Sequence, residues 1–252
     1  MARREFDSRN LLRTANPALR DEVFTGDGVP RGDTMTIQGT VNKTAALLAL
    51  LIASAAFTWV TVDPATTGPW LLVAALAGLG IAILTIVRRQ WSPLTAPLYA
   101  VVEGVVVGAV SRMFEDFYDG IVLQAASLTI GVLAALLVVY STRLIRVTQN
   151  FRLGVAAATL GILLVYLVDL VLRLFGGQVP ILNDPSPLGI LISLAIVVVA
   201  ALNLVLDFDF IEQGTASGAP RYMEWYAGFG LLVTLVWLYL EILRLLGKLR
   251  ER

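Results

Sequence analysis

The 252 residues contain no cysteine and no histidine. Their absence removes disulfides, Cys- or His-ligated zinc, iron–sulfur clusters and haem held by its usual axial ligands. Ser–His–Asp and Cys–His nucleophilic catalysis go with them. Charge is also scarce. Only 15% of residues are charged, and 19 Lys and Arg cancel 19 Asp and Glu. With a pI near 6.3, no basic field exists to draw nucleic acid. The first 40 residues lack the apolar core of a signal peptide, so the first hydrophobic segment is expected to direct insertion itself. The chemistry left is that of oxygen: carboxylates, hydroxyls and backbone carbonyls, which suit protons and hard cations such as Ca²⁺.

What the chain has instead is hydrocarbon. Apolar residues make up 57% and mean hydropathy is +0.78, more than a soluble surface can accommodate. A bilayer core asks for about 20 apolar residues per helix. Seven segments meet that criterion, near 44–62, 70–87, 95–113, 121–140, 153–174, 188–207 and 226–246. The runs are continuous rather than alternating, which disfavours a membrane β-barrel. The fold class is therefore an all-α membrane protein of seven transmembrane helices. The third segment, with Pro97 at its start and Glu103 within it, also fits a re-entrant hairpin. Residues 1–40 read as a polar, mostly disordered tail broken by Pro17, Gly26, Gly28, Pro30 and Gly32. Residues 41–247 form the transmembrane domain and 248–252 a short basic tail.

Small residues recur four apart, as in Ala74 with Gly78 and Gly104 with Gly108, a common helix-packing device. Four of the five tryptophans fall near segment ends, where indoles settle at headgroup level; Trp237 is the exception. Lys43, Arg88, Arg89, Arg143, Arg146, Arg152 and Arg221 share a side with the N-terminal tail arginines. That bias predicts a cytoplasmic N-terminus in a multi-pass protein of the inner (plasma) membrane. The basic cluster Arg244, Lys248, Arg250 and Arg252 is discordant with it, unless the last segment does not cross fully.

Acids inside a bilayer cost a few kcal/mol each, so those present need a reason. Asp169 precedes Arg173 by four residues and Glu241 precedes Arg244 by three, so both pairs fit structural ion pairs along one helix face. Glu103 has no cation nearby on its own helix. Asp207 and Asp209 stand where the sixth apolar run gives out. Residues i and i+2 do not share a helix face, so at least one of the two should point inward. At a helix C-terminus the macrodipole would disfavour both, which suggests a proton- or cation-responsive site.

The Leu-Val-Leu-Asp207-Phe-Asp209-Phe-Ile stretch resembles the Asp-centred motif of the Bax inhibitor-1 (TMBIM, YccA-like) family. Ala100-Val-Val-Glu103-Gly104 and Tyr239-Leu-Glu-Ile-Leu-Arg244-Leu-Leu are similar to that family too. Asn16-Pro17-Ala18, Met35-Thr36-Ile37 and Tyr222-Met-Glu-Trp225-Tyr look like its actinobacterial branch. The resemblance implies a bundle whose last helix is central and surrounded by the other six. It further implies a pH-modulated calcium leak, closed by carboxylates of the sixth and seventh helices that share a proton. Adjacent carboxylates cannot both ionise cheaply, and once deprotonated they repel and offer ligands to Ca²⁺. On this reading Asp207 is the sixth-helix acid, Asp209 its substitute, and Glu103 the acid of the Glu-Gly helix. The seventh-helix acid would fall at Thr234, which carries no charge.

Two functions follow as expectations. The first is a passive Ca²⁺ leak channel whose gate and pH sensor are Asp207, Asp209, Glu103 and Thr234, with Asp207 and Asp209 as transient Ca²⁺ ligands. The second is a regulatory protein that binds a membrane quality-control protease or another membrane protein without transport. No resident cofactor and no enzymatic activity are expected, since Asp169 with Asp207 is the only obvious pair for aspartyl chemistry. The expected partners are the lipid bilayer, Ca²⁺ or protons and, on the second reading, the protease.

Overall fold

Local signals set most of the helix ends in a computed structural model that describes residues 34–61 and 68–251. Ser186, followed by Pro187 in the first turn, accepts a hydrogen bond from the Gly189 N–H at 3.2 Å and so caps one helix. Thr148 does the same for the Phe151 N–H. Gly120, at φ +75°, makes the left-handed turn between two others. The resulting spanning helices are α1 (Ile37–Thr61), α2 (Gly68–Val87), α3 (Ser92–Phe117), α4 (Ile121–Ser141), α5 (Gln149–Leu174), α6 (Pro187–Ala216) and α7 (Met223–Arg250). All seven are long and apolar enough to cross a bilayer. The chain is a multi-pass membrane protein.

α7 is the central helix, packed against α1, α3, α4 and α6; α2 leans on α3, and α5 on α6. α5 reaches the last helix as well, through Tyr166 on Glu241 and Arg244. Leu232, Leu238 and Leu243 of α7 are fully buried, whereas Leu160, Leu163, Leu164, Leu167 and Val168 of α5 are exposed. Such a surface is stable only against lipid. Because lipid tails are as apolar as leucine, close packing holds the helices together, and small residues permit it. Gly104 and Gly108 lie where an added Cβ would come within 2.5 Å of the Leu51 carbonyl oxygen and 2.4 Å of the Ala55 carbonyl oxygen.

Several expected boundaries move. α3 is one continuous 26-residue helix with Pro97 inside it, so the hairpin alternative falls. α6 does not stop near residue 207 but runs to Ala216, because its late acids are paired within the bundle. Asp209 meets Arg152 at 2.8 Å, and Glu212 accepts from Tyr140 and Arg143. Asp207 and Asp209 are therefore well inside a helix, where the end of the dipole bears on neither.

α7 continues through Lys248 to Arg250, so the tail expected at 248–252 is largely helix. Lys248 is 4% exposed and donates to the Gly189 carbonyl at 3.1 Å and to Ser193 Oγ at 2.8 Å. Arg250 donates to the Asp119 carbonyl and to Gln124. Tertiary partners of this kind hold Lys248 and Arg250 of the basic cluster against the bundle.

α1 begins at Ile37, before the expected domain start at 41, because its entry is tied to α7. The Met35 N–H donates to the Ala219 carbonyl at 2.7 Å, and Glu224 accepts from the Thr36 N–H and hydroxyl at 3.0 and 2.9 Å. Lys43 stands 3.6 Å from the same carboxylate. Glu224→Ala leaves these donors and Lys43 without their acceptor, and the expected loss is about 3 kcal/mol, measurable as a lower Tm in detergent. An unchanged Tm would show the latch to be ornamental. Residues 1–33 of the expected tail lie outside the described residues.

Candidate functional site

α6 carries two acids in Leu206-Asp207-Phe208-Asp209, and the helix sends them to opposite sides. Asp207 turns toward α7. Its Oδ1 lies 3.9 Å from where a Cβ on Gly230 would stand, so the glycine leaves room for the carboxyl group. The Thr234 hydroxyl, one turn further along α7, sits beside that group and is itself 3.2 Å from the Gly230 carbonyl oxygen, to which it donates. Around them are buried Leu204, Phe208, Leu231 and Leu235. Asp207 Oδ2 is shut off from solvent and has no hydrogen-bond partner among the described residues. A buried polar oxygen left without a partner is uncommon and asks for an explanation.

Asp209 turns the other way, toward α5, where Arg152 holds it at 2.8 Å and Gln213 donates to it at 2.7 Å. It does not share a site with Asp207, and no group of three acids gathers to hold a metal ion among the described residues. Glu103 occupies a third location, between α3 and α2. Its Oε2 lies 3.1 Å from a Cβ placed on Gly78, and Tyr99 is beside it. Tyr99 in turn packs edge-on against Phe229 of α7, with ring centres 5.0 Å apart. Of the four residues expected at a gate, the structure therefore joins two, Asp207 and Thr234.

The two expected ion pairs are formed, each within a larger network. Arg173 Nε meets Asp169 Oδ2 at 2.7 Å, and Asp169 Oδ1 accepts from the Val179 N–H at 2.7 Å, tying the end of α5 to the following loop. Arg244 meets Glu241 at 3.0 Å, while Tyr166 of α5 donates to Glu241 at 2.6 Å and accepts from Arg244 at 2.6 Å. Glu241 is 2% exposed within this network. Asp169 lies at the end of the bundle where α6 begins, and Asp207 is twenty residues along α6, about 30 Å further at 1.5 Å per residue. These two acids cannot act on one substrate.

Sequence reasoning did not single out Glu224, Glu212 or Lys248. Glu224 had a signal: an acid in the first turn of a hydrophobic helix, the position that favours negative charge. Lys248 had one as well, since it follows Glu241 by seven residues and Arg244 by four and so shares their face. Glu212 could be recognised only through Tyr140 of α4 and Arg143 of the turn after it, which reach it.

A search of the curated proteins finds no match. A family model described as Bax inhibitor 1 like matches residues 16–251, nearly the whole chain. The seven-helix bundle with its central last helix is the architecture that the resemblance implied. The chain belongs to the Bax inhibitor 1 like family.

Proposed function

We propose that this protein is a passive, pH-modulated Ca²⁺ leak pathway whose gating charge is Asp207. The observation that carries the reading is the sealed, unpartnered carboxyl oxygen between α6 and α7, in a chain of this family. Thr234 commits its hydroxyl proton to the Gly230 carbonyl and so shows lone pairs to Asp207. A protonated Asp207 can donate to that hydroxyl and hold the two helices together. An ionised Asp207 has only the Thr234 hydroxyl facing it, whose proton must be drawn from the Gly230 carbonyl, and so thinly solvated an anion in a low-dielectric core is costly. Its relief is a cation. The Asp207 carboxylate, the Thr234 hydroxyl and the Gly230 carbonyl are the hard oxygen ligands that Ca²⁺ accepts, and so few of them suit passage rather than storage.

Arg88, Arg89, Arg143, Arg146 and Arg152 stand at the end of the bundle where α1 begins. By the positive-inside tendency that end is cytoplasmic, and the membrane is the inner (plasma) membrane. Catalysis forms no part of this reading. The test is Ca²⁺ entry into proteoliposomes at about pH 6 and about pH 8. Flux is expected at both and greater at the higher pH. Flux equal to that of empty liposomes at both would overturn the proposal.

One observation favours a second reading. Thr234 leaves Asp207 without a second acid to repel, which fits a regulatory partner of a membrane protease better than a channel. Zero flux together with co-purification of such a protease would decide for it.

A further inference from the structure

Away from the carboxylates, α1, α3, α4 and α7 leave a groove of ≈ 690 Å³ between them. Small side chains open it, chiefly Ala55, Ala56 and Ala126. Its rim residues Ile52, Val60 and Ile130 are 62%, 83% and 66% exposed, so it opens onto the apolar perimeter of the bundle rather than onto water. Its polar side chains satisfy one another or the backbone: Ser111 Oγ and the Tyr239 hydroxyl are 2.7 Å apart, and the Thr129 hydroxyl donates to the Ala125 carbonyl. Nothing in the wall asks for a polar ligand. The volume lies in the range of about 300–1,000 Å³ typical of sites that hold small molecules.

Two further features say what fits there. Along α1 the groove runs from Leu48 to Val60, about 18 Å at the helical rise, close to the depth of one leaflet of a hydrocarbon core about 30 Å thick. At its outer mouth Trp59 lines the wall, with the Arg112 guanidinium 5.7 Å over its ring. Arg112 Nε is 3.0 Å from Asp116 Oδ1, yet that N–H has no hydrogen-bond partner, because it is not aimed at the carboxylate. Both side chains are about 40% exposed. The Nε itself is buried, and what the mouth offers is one part-exposed charge of each sign, side by side.

We propose that this groove is a phospholipid site: it takes one acyl chain of a bilayer lipid whose zwitterionic headgroup bears a primary ammonium, as in phosphatidylethanolamine. The phosphate lies on Arg112 and the ammonium on Asp116. An anionic headgroup would satisfy the guanidinium but meet the Asp116 carboxylate. A quaternary ammonium would have the charge for Asp116 but no proton to donate to it. The interfacial Trp59 closes the mouth at headgroup level.

The test is native mass spectrometry of the full chain in mild detergent, titrated separately with phosphatidylethanolamine, phosphatidylglycerol and phosphatidylcholine of matched chains. The ethanolamine lipid is expected to be retained about fivefold better than the other two. Ala56→Phe and Ala126→Phe, which fill the groove, are expected to lower retention of all three by a similar factor. Ala56 is exposed, so its variant serves if the other folds poorly. Asp116→Asn is expected to remove the preference for ethanolamine while leaving chain-dependent binding. Equal retention of the three lipids by the unmodified protein, or undiminished retention by the filled variants, would overturn the assignment.

Discussion

Asp207→Asn is expected to flatten the pH dependence of Ca²⁺ flux, holding it near its low-pH level at every pH and reducing flux at about pH 8 roughly tenfold. Asparagine keeps the shape of the protonated acid and can donate an amide hydrogen to the Thr234 hydroxyl, whose own proton goes to the Gly230 carbonyl. It cannot ionise. The closed arrangement should therefore persist, with a Tm no lower than that of the unmodified protein, since an unpartnered carboxyl oxygen has been exchanged for a group of like size. Asp209→Asn is the contrasting variant. It breaks the 2.8 Å pair with Arg152, so it should lower Tm while leaving the pH response in place. Thr234→Asp puts a second carboxyl beside Asp207 and should spread the response into two steps, the second at higher pH, because two acids in contact ionise one at a time. A pH response that survives Asp207→Asn but is lost in Asp209→Asn would move the gate to the other face of α6.

The second large effect is structural. Gly104→Val should abolish the monodisperse folded protein, and Gly108→Val should do the same. At Gly104 a Cβ would stand 2.5 Å from the Leu51 carbonyl oxygen and 2.7 Å from Ser54 Cβ. At Gly108 it would stand 2.4 Å from the Ala55 carbonyl oxygen and 2.8 Å from Ala55 Cα. These are mostly backbone atoms of a packed helix, which cannot swing aside as a flexible side chain can. Overpacking of this kind costs about 3 kcal/mol or more, and in lipid, with no hydrophobic force between helices, little opposes it. Gly131→Ala is the control: nothing lies within 4 Å of its Cβ, and the residue is in mid-helix. The control should keep or raise Tm, by at most about 1 kcal/mol. Size-exclusion profiles and thermal melts of the three variants decide the matter, and a well-behaved Gly108→Val would refute the packing role.

The spans were readable because a bilayer demands long unbroken apolar runs, and all seven lie where hydropathy placed them. Their ends were not. Asp209, Glu212 and Lys248 look like the start of loops in sequence, yet each is held by a residue from another helix: Arg152, Tyr140 and Ser193. Linear order does not reveal such partners. Helical geometry did reveal that Asp207 and Asp209 diverge, since two residues two apart cannot face the same way. The spacing of Gly104 and Gly108 marked the tight contact with α1. Linear order does not show either that Tyr166 of α5, seventy-five positions earlier, donates to Glu241.

The position of α7 has a consequence for biogenesis. The helix made after the other six is the one on which α1, α3, α4 and α6 all close. While the ribosome is still delivering the first six helices, the middle of the assembly is unfilled, and the latch residues near Thr36 wait for Glu224 to arrive. Insertion and closure are therefore separate events in time, and a stop codon anywhere before position 223 leaves helices in the bilayer that have nothing to gather around.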